Sequence, residues 1–354
     1  VKGRADITLV DTTVMDVAAS IAREYQASSY QAGTALAKLV RFLNDHNLTT
    51  KRIEWCNPIR KPKEINCVDE ETQAKRVAKL PEDAHLEAMG EMFANNLQHP
   101  RDRFTTSMFA LLMCAPSRIS EVQRLPLSVL HYGKDTEGVD RLGLRYFSGK
   151  GFGWDSKWVI PSYEDIAKEA VRRLTALSEE GRRLARWYEE NPSKFYRHDE
   201  CPNVEEDAPL SDAQVCLALG FDWCGYKANI DKYFKAYAPY TDFRNANRPL
   251  TLAFLNDYCH AMLPEGFPYL DKDRGLKYSE ALCCYRENEF RESLLTSRVK
   301  LWTPGKSLFT TDLNYIQGQK SSIWTRHGYR NPDGSNISMT SHQVRHLLNT
   351  ASQR

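Results

Sequence analysis

The sequence predicts a mainly helical α+β protein with one small β-sheet, divided into an N-terminal helical domain over 1–77 and a larger domain over 78–354. Apolar residues recur at three- and four-residue spacing in most segments, the period of a helix with one buried face. Strand character is confined to two short runs, Leu142 to Phe147 and Lys157 to Pro161, which flank a glycine-rich turn. Near the expected domain boundary the periodicity gives way to charged residues, Asp69 to Lys75, that read as a linker. A length of 354 residues suits two domains, at about 150 residues each.

In the N-terminal domain Val14, Val17, Ala18 and Ile21 mark a first helix, and Leu36, Leu39, Val40 and Leu43 a second, after a polar break at Ser28-Ser29. Asp45-His46-Asn47 ends the second helix. Trp55 to Pro62 is extended, basic and punctuated by prolines. A helical unit on a charged linker suits a clamp around a duplex, and equally a helical protein–protein module.

The larger domain opens with a helix at Leu80-Pro81-Glu82-Asp83, with proline in its first turn and Leu86, Met89, Met92 and Phe93 on its buried face. A strongly apolar helix follows from Phe104 to Met113, ended by Pro116. Ser117 then caps a short helix, Arg118 to Leu125. Arg118 stands three residues before Glu121, so the carboxylate can hold the guanidinium; an ordinary surface ion pair, worth ~0–1 kcal/mol, accounts for this pair as well. The turn Ser148-Gly149-Lys150-Gly151-Phe152-Gly153 places a lone lysine at a hairpin tip. From 162 to 330 the chain reads as mostly helical. Within it, Leu210 to Gly220 and Trp223 to Phe234 have the outline of a helix-turn-helix or of two packed helices, because glycine is also the usual C-terminal stop. Loops are expected at Pro264 to Pro268 and Asn331 to Gly334.

The last helix, Met339 to Leu348, begins with a capping box of Thr340 and Gln343. Helical spacing sets His342, Arg345 and His346 on one side and Val344, Leu347 and Leu348 on the other. A helix N-terminus bearing an arginine and a histidine favours a phosphate, through exposed N–H groups, the helix dipole and a two-pronged cation.

Composition narrows the class. Hydrophobic residues make up 42% and charged residues 27%, the balance of a soluble globular protein. No run approaches ~18 apolar residues and the start carries no signal-peptide pattern, so neither a membrane span nor export is expected. Nine cysteines without Cys-x-x-Cys spacing point to reduced thiols and to no metal site. The net charge is only +2, but basic clusters at Lys51-Arg52, Arg60-Lys61-Pro62-Lys63, Arg172-Arg173 and Arg182-Arg183 are segregated from acidic ones at Asp69-Glu70-Glu71 and Glu205-Glu206-Asp207.

Arg118 in Arg-Ile-Ser-Glu, Lys150 on a glycine-rich hairpin and His342-x-x-Arg345, in that order behind a helical N-terminal region, resemble the tyrosine recombinase (phage integrase) family. The resemblance is close over 80–161 and 337–350, loose over 1–77 and absent over most of 162–330, which makes that stretch a large insertion. It implies an N-terminal core-binding domain and a catalytic domain that together clamp double-stranded DNA. Arg118 and Arg345 would neutralise charge on the scissile phosphate, with Glu121 positioning Arg118. Lys150, or failing it Lys157, would protonate the 5′-oxygen leaving group, His342 would assist proton transfer, and His346 would pack. Lys51, Arg52, Arg60, Lys61, Lys63 and Lys150 are the expected DNA contacts. The chemistry implied needs no metal and no cofactor, and the location implied is cytoplasmic, at the nucleoid. Relatives work as dimers or tetramers on synapsed sites.

Two departures stand out. Pro116-Ser117 replace the glycine and apolar residue that usually precede the first arginine. No tyrosine follows Arg345, whereas the family's nucleophile lies well downstream of that position. The chain, beginning at Val1 and ending at Arg354, therefore reads as a fragment that binds DNA without cutting it. A recombinase-like regulator that never carried the tyrosine, and a type IB topoisomerase-like enzyme, are the alternative readings.

Overall fold

The computed structural model describes residues 3, 6–25, 28–61, 80–148, 153–221, 227–316 and 322–351. Helices dominate, with small antiparallel sheets, so the class is α+β. Val1–Ala78 and Lys79–Arg354 form two separate units. Among the described residues no helix is long and apolar enough to cross a membrane.

In the first unit, α1 (Thr12–Glu24) starts where the Asp11 carboxylate accepts the Val14 N–H at 3.0 Å. After α2 (Ser29–Asp45) the chain turns at Asn47, with φ 49°. It then returns along the pair, pinned by Asn44, whose side chain donates to the Ile53 carbonyl and accepts its N–H. The core is Met15, Val40, Leu43 and Ile53. The buried face of α1 is Met15, Ala19 and Ala22, whereas Val17 and Ile21, part of the periodic set, stand 38% and 51% exposed. Close packing of two short helices selects small side chains at their contact, which a hydrophobicity pattern underweights.

The second unit is built on α4 (Pro100–Cys114), buried from Phe104 through Leu112. It begins earlier than its apolar run because Pro100 and a polar first turn extend it. α3 (Asp83–Ala94) starts after Glu82, so Pro81 precedes the cap instead of occupying the first turn. α5 (Ile119–Val122) is shorter than expected.

A three-stranded antiparallel sheet follows: β1 (Leu130–Lys134), β2 (Asp140–Ser148) and β3 (Gly153–Trp158), in that order. β1 adds a strand to the expected pair, since Leu-His-Tyr-Gly-Lys has little strand signature. Leu144 on β2 faces Lys157 on β3, and Tyr146 faces Asp155. Leu142 and Leu144 are buried, so the alternation of side chains sends Lys157 inward with Leu144.

Beyond the sheet, α6 (Glu164–Leu177) packs on α4 through Ala167, Ala170 and Leu174. α7 (Glu179–Glu190) turns into a second core of Tyr188, Phe195, Val215, Phe234, Leu255 and Tyr258. Gly181 allows that turn: a Cβ there would lie 2.3 Å from the Cys284 carbonyl oxygen and 2.6 Å from the Tyr285 Cα. Gly181→Ala is expected to cost about 1–3 kcal/mol, read as a lower thermal midpoint, because backbone has nowhere to retreat.

α8 (Asp212–Leu219) ends at Gly220 in the left-handed conformation, φ 77°. Its interval to α9 (Lys227–Phe234) exceeds the about three to four residues of a helix-turn-helix turn. Val215, Cys216, Ile230 and Phe234 all enter the second core, so the pair is two packed helices. α10 (Ala238–Asn245) and α11 (Leu252–Ala261) complete that helical cluster. The next stretch departs from the mostly helical expectation. It holds two short hairpins, β4 (Tyr269–Asp271) with β5 (Leu276–Lys277) and β6 (Tyr285–Arg286) with β7 (Leu301–Trp302), among turns rich in glycine, asparagine and aspartate.

α12 (Lys306–Leu313) and α13 (Ile323–Arg326) lead to α14 (Ser341–Ala351). The Leu313 carbonyl accepts both the Trp324 indole N–H, at 2.9 Å, and the Met339 N–H, at 3.0 Å. One oxygen thereby fixes α13 and the entry to α14. Val344 and Leu348 then bury α14 beside α4.

Candidate phosphate-binding site

Three distant segments meet beside α4: the start of α5, strand β3 and the first turns of α14. Arg118 is the N-cap of α5, and its N–H donates to Glu121 Oε2 at 3.0 Å while its guanidinium reaches Oε1 at 2.9 Å. Ser117, the expected cap, turns instead towards the sheet, where its hydroxyl lies 3.2 Å from the Lys157 ammonium. Lys157 also donates to Glu121 Oε2 at 2.9 Å and sits 4.0 Å from the centre of the Tyr146 ring. The register explains this contact, since Tyr146 is the diagonal neighbour of Lys157 across β2 and β3.

The charge of Arg345 on α14 also acts on this cluster. Burial opposes ionisation of Glu121, but hydrogen bonds from the Arg118 backbone, Lys157 and the Arg118 side chain overcome it and hold the carboxyl at about 2. The carboxylate's stabilising effect is therefore complete above its ordinary value of 4.5 and is lost as pH falls from there towards about 2. Burial lowers the Lys157 pKa; hydrogen bonding and charge attraction from Glu121 oppose this, and the charges of Arg345 and Arg118 push it down further. Arg345 is thus near enough for its charge to be felt at the Lys157 ammonium.

Glu121→Gln is expected to lower the Lys157 pKa beyond its present depression, because the proton-retaining partner is lost while both arginines stay. A titration of the lysine side-chain resonances tests this; an unchanged or raised Lys157 pKa would refute the pairing.

On α14 the capping box forms as expected. Thr340 N–H donates to Gln343 Oε1 at 2.8 Å, and Gln343 N–H donates to Thr340 Oγ1 at 3.3 Å. His342 and His346 bring their Nε2 atoms within 2.8 Å. Among the described residues, Arg118, Lys157 and Arg345 outnumber Glu121 and, one contact further out beyond Tyr146, Asp155, so the cluster carries excess positive charge and suits an anion.

Of the sequence-derived candidates, Arg118, Glu121, Arg345, His342 and His346 lie in the second unit as just described. Lys150 falls outside the described residues, as does Lys63. Lys51, Arg52, Arg60 and Lys61 are exposed on the first unit. Lys157, placed behind Lys150 on sequence grounds, is seated in the cluster, and the inward parity of β3 is the signal for it. Ser117 and Tyr146 carry no sequence signal for the site. Burial, then the neighbouring carboxylates of Asp155 and Glu121, push the Tyr146 hydroxyl up to about 12, so it stays protonated.

Around the first turns of α4 runs a charged network with no sequence signal either. Asp312, fully buried, accepts from Arg326 at 2.7 and 2.9 Å, from Arg101 at 2.7 Å and from the Thr105 hydroxyl at 2.5 Å. Asp102 accepts from Arg326 and lies 2.8 Å from His327. Burial works against its charge, but Arg326 and His327 together hold its pKa below the usual range.

Compared with family models, with characterised proteins and with solved structures, the chain finds no match.

Proposed function

We propose that the protein binds double-stranded DNA and presents Arg118, Lys157 and Arg345 to one phosphodiester, as the phosphate pocket of a tyrosine-recombinase-type strand-transfer site. The observation carrying this reading is the convergence of Arg118, Glu121, Lys157 and Arg345 from three separated segments into one cationic cluster. Fixed guanidinium donors stabilise charge that grows on the non-bridging oxygens during attack at phosphorus. Glu121 aims Arg118. Lys157, with a depressed pKa, is placed to act as general acid for the 5′-oxygen. His342 lies one turn from Arg345 and serves proton transfer.

In the full reaction a tyrosine hydroxyl attacks phosphorus, the bond to the 5′-oxygen breaks and that oxygen takes a proton, leaving a 3′-phosphotyrosyl link that conserves the bond energy. Arg118, Glu121, Lys157, Arg345 and His342 bind and polarise the phosphate and move protons; none of them is the nucleophilic tyrosine. The second reading is a DNA-binding regulator with a recombinase-like pocket, because the same cationic cluster can hold a phosphate without cleaving it.

Incubation with labelled duplex DNA, followed by denaturing electrophoresis, separates the outcomes. A covalent protein–DNA adduct supports strand transfer. Salt-sensitive binding without an adduct, weakened in Arg118→Ala, supports the regulator. Absence of DNA affinity even at low salt would sink both readings.

A further inference from the structure

We propose that His342 and His346 bind one divalent transition-metal ion. The two imidazoles are i, i+4 neighbours on α14, and their Nε2 atoms stand 2.8 Å apart, with ring centroids at 4.2 Å and an interplanar angle of 80°. Histidines at this spacing on one helix face are a recurrent pair of metal ligands. Nitrogens bound about 2.1 Å from one ion at adjacent octahedral positions lie about 3.0 Å apart. The pair is therefore within a few tenths of an ångström of the required bite, and a small turn of each ring closes the difference.

At 2.8 Å one neutral ring donates its Nε2–H to the lone pair of the other. On binding, the donor ring moves that proton from Nε2 to Nδ1, which frees both Nε2 lone pairs for the ion. No proton leaves the neutral pair, and water fills the remaining coordination positions. Imidazole ligands suit nickel, copper, zinc and cobalt in preference to magnesium or calcium.

The backbone supports the geometry. Thr340 and Gln343 cap the helix start, and Val344 and Leu348 fasten the opposite face, so the spacing of the two rings is set before any ion arrives. Among the described residues no group of three or more histidine, cysteine, aspartate or glutamate side chains is placed to hold a metal. The site is thus a two-ligand one, open to solvent on the side of His342. Uptake does not depend on the DNA reading, and either can fail alone.

The test is calorimetric titration of the protein with Ni2+, with Co2+ absorption as a check on nitrogen ligation. Losing a ligand should cost at least the roughly 10–100-fold that losing a ligand's outer partner costs. His342→Ala and His346→Ala are each expected to weaken one equivalent of binding by that factor, while His46→Ala, an exposed histidine of the first unit, leaves it unchanged. Circular dichroism verifies that the variants fold. Unaltered affinity in either α14 variant, or no uptake by the wild-type protein at millimolar nickel, overturns the proposal.

Discussion

Arg345→Ala is expected to reduce strand cleavage by roughly 10²–10³-fold in a form of the protein that carries a nucleophilic tyrosine, the effect of deleting one fixed donor aimed at developing charge. In the chain described, the same change should lower the slope of log affinity against log salt by about 1, as one phosphate contact is lost. Arg345→Lys should restore the charge but not the two-pronged geometry, and so recover binding better than cleavage. The variant should stay folded, because Val344 and Leu348, not Arg345, anchor α14. Full cleavage by Arg345→Ala would remove the residue from the proposed site.

Asp312→Ala is expected to destabilise the second unit by about 3–5 kcal/mol, since it leaves Arg326 and Arg101 without the carboxylate that both use. Urea unfolding with and without the change measures it. A loss below about 1 kcal/mol would mean that Asp102 and water take over the arginines. The effect should reach α14, because Asp312 adjoins Leu313, whose carbonyl holds Met339.

The parts of the molecule legible beforehand were those written in local chemistry. The capping box at Thr340 and Gln343 and the pairing of Arg118 with Glu121 each depend on residues three apart, and both form. The apolar run of α4 is equally local. Parity across a hairpin is not: Lys157 turns inward because it faces Leu144, and that pairing depends on where β2 and β3 meet. The Asp312 network lies further beyond reach, because Arg101 and Arg326 are separated along the chain and nothing local distinguishes a carboxylate buried against arginines from a solvated one. On α1 the bulky Val17 and Ile21 outweigh Ala19 and Ala22 in any hydrophobicity pattern, although the value of the alanines is their small size. In the second core, short hairpins with few residues each hold too brief a period to read.

Glu121 serves Arg118 and Lys157 at once, one oxygen chiefly for each side chain. Neither cation is therefore free to drift independently. A lineage that lost the arginine would leave the carboxylate wholly to the lysine and tighten its grip on the proton, while one that lost the carboxylate would set two positive charges against each other with nothing between them. The three side chains are therefore expected to be energetically coupled, so that a double substitution among them departs from the sum of the single ones.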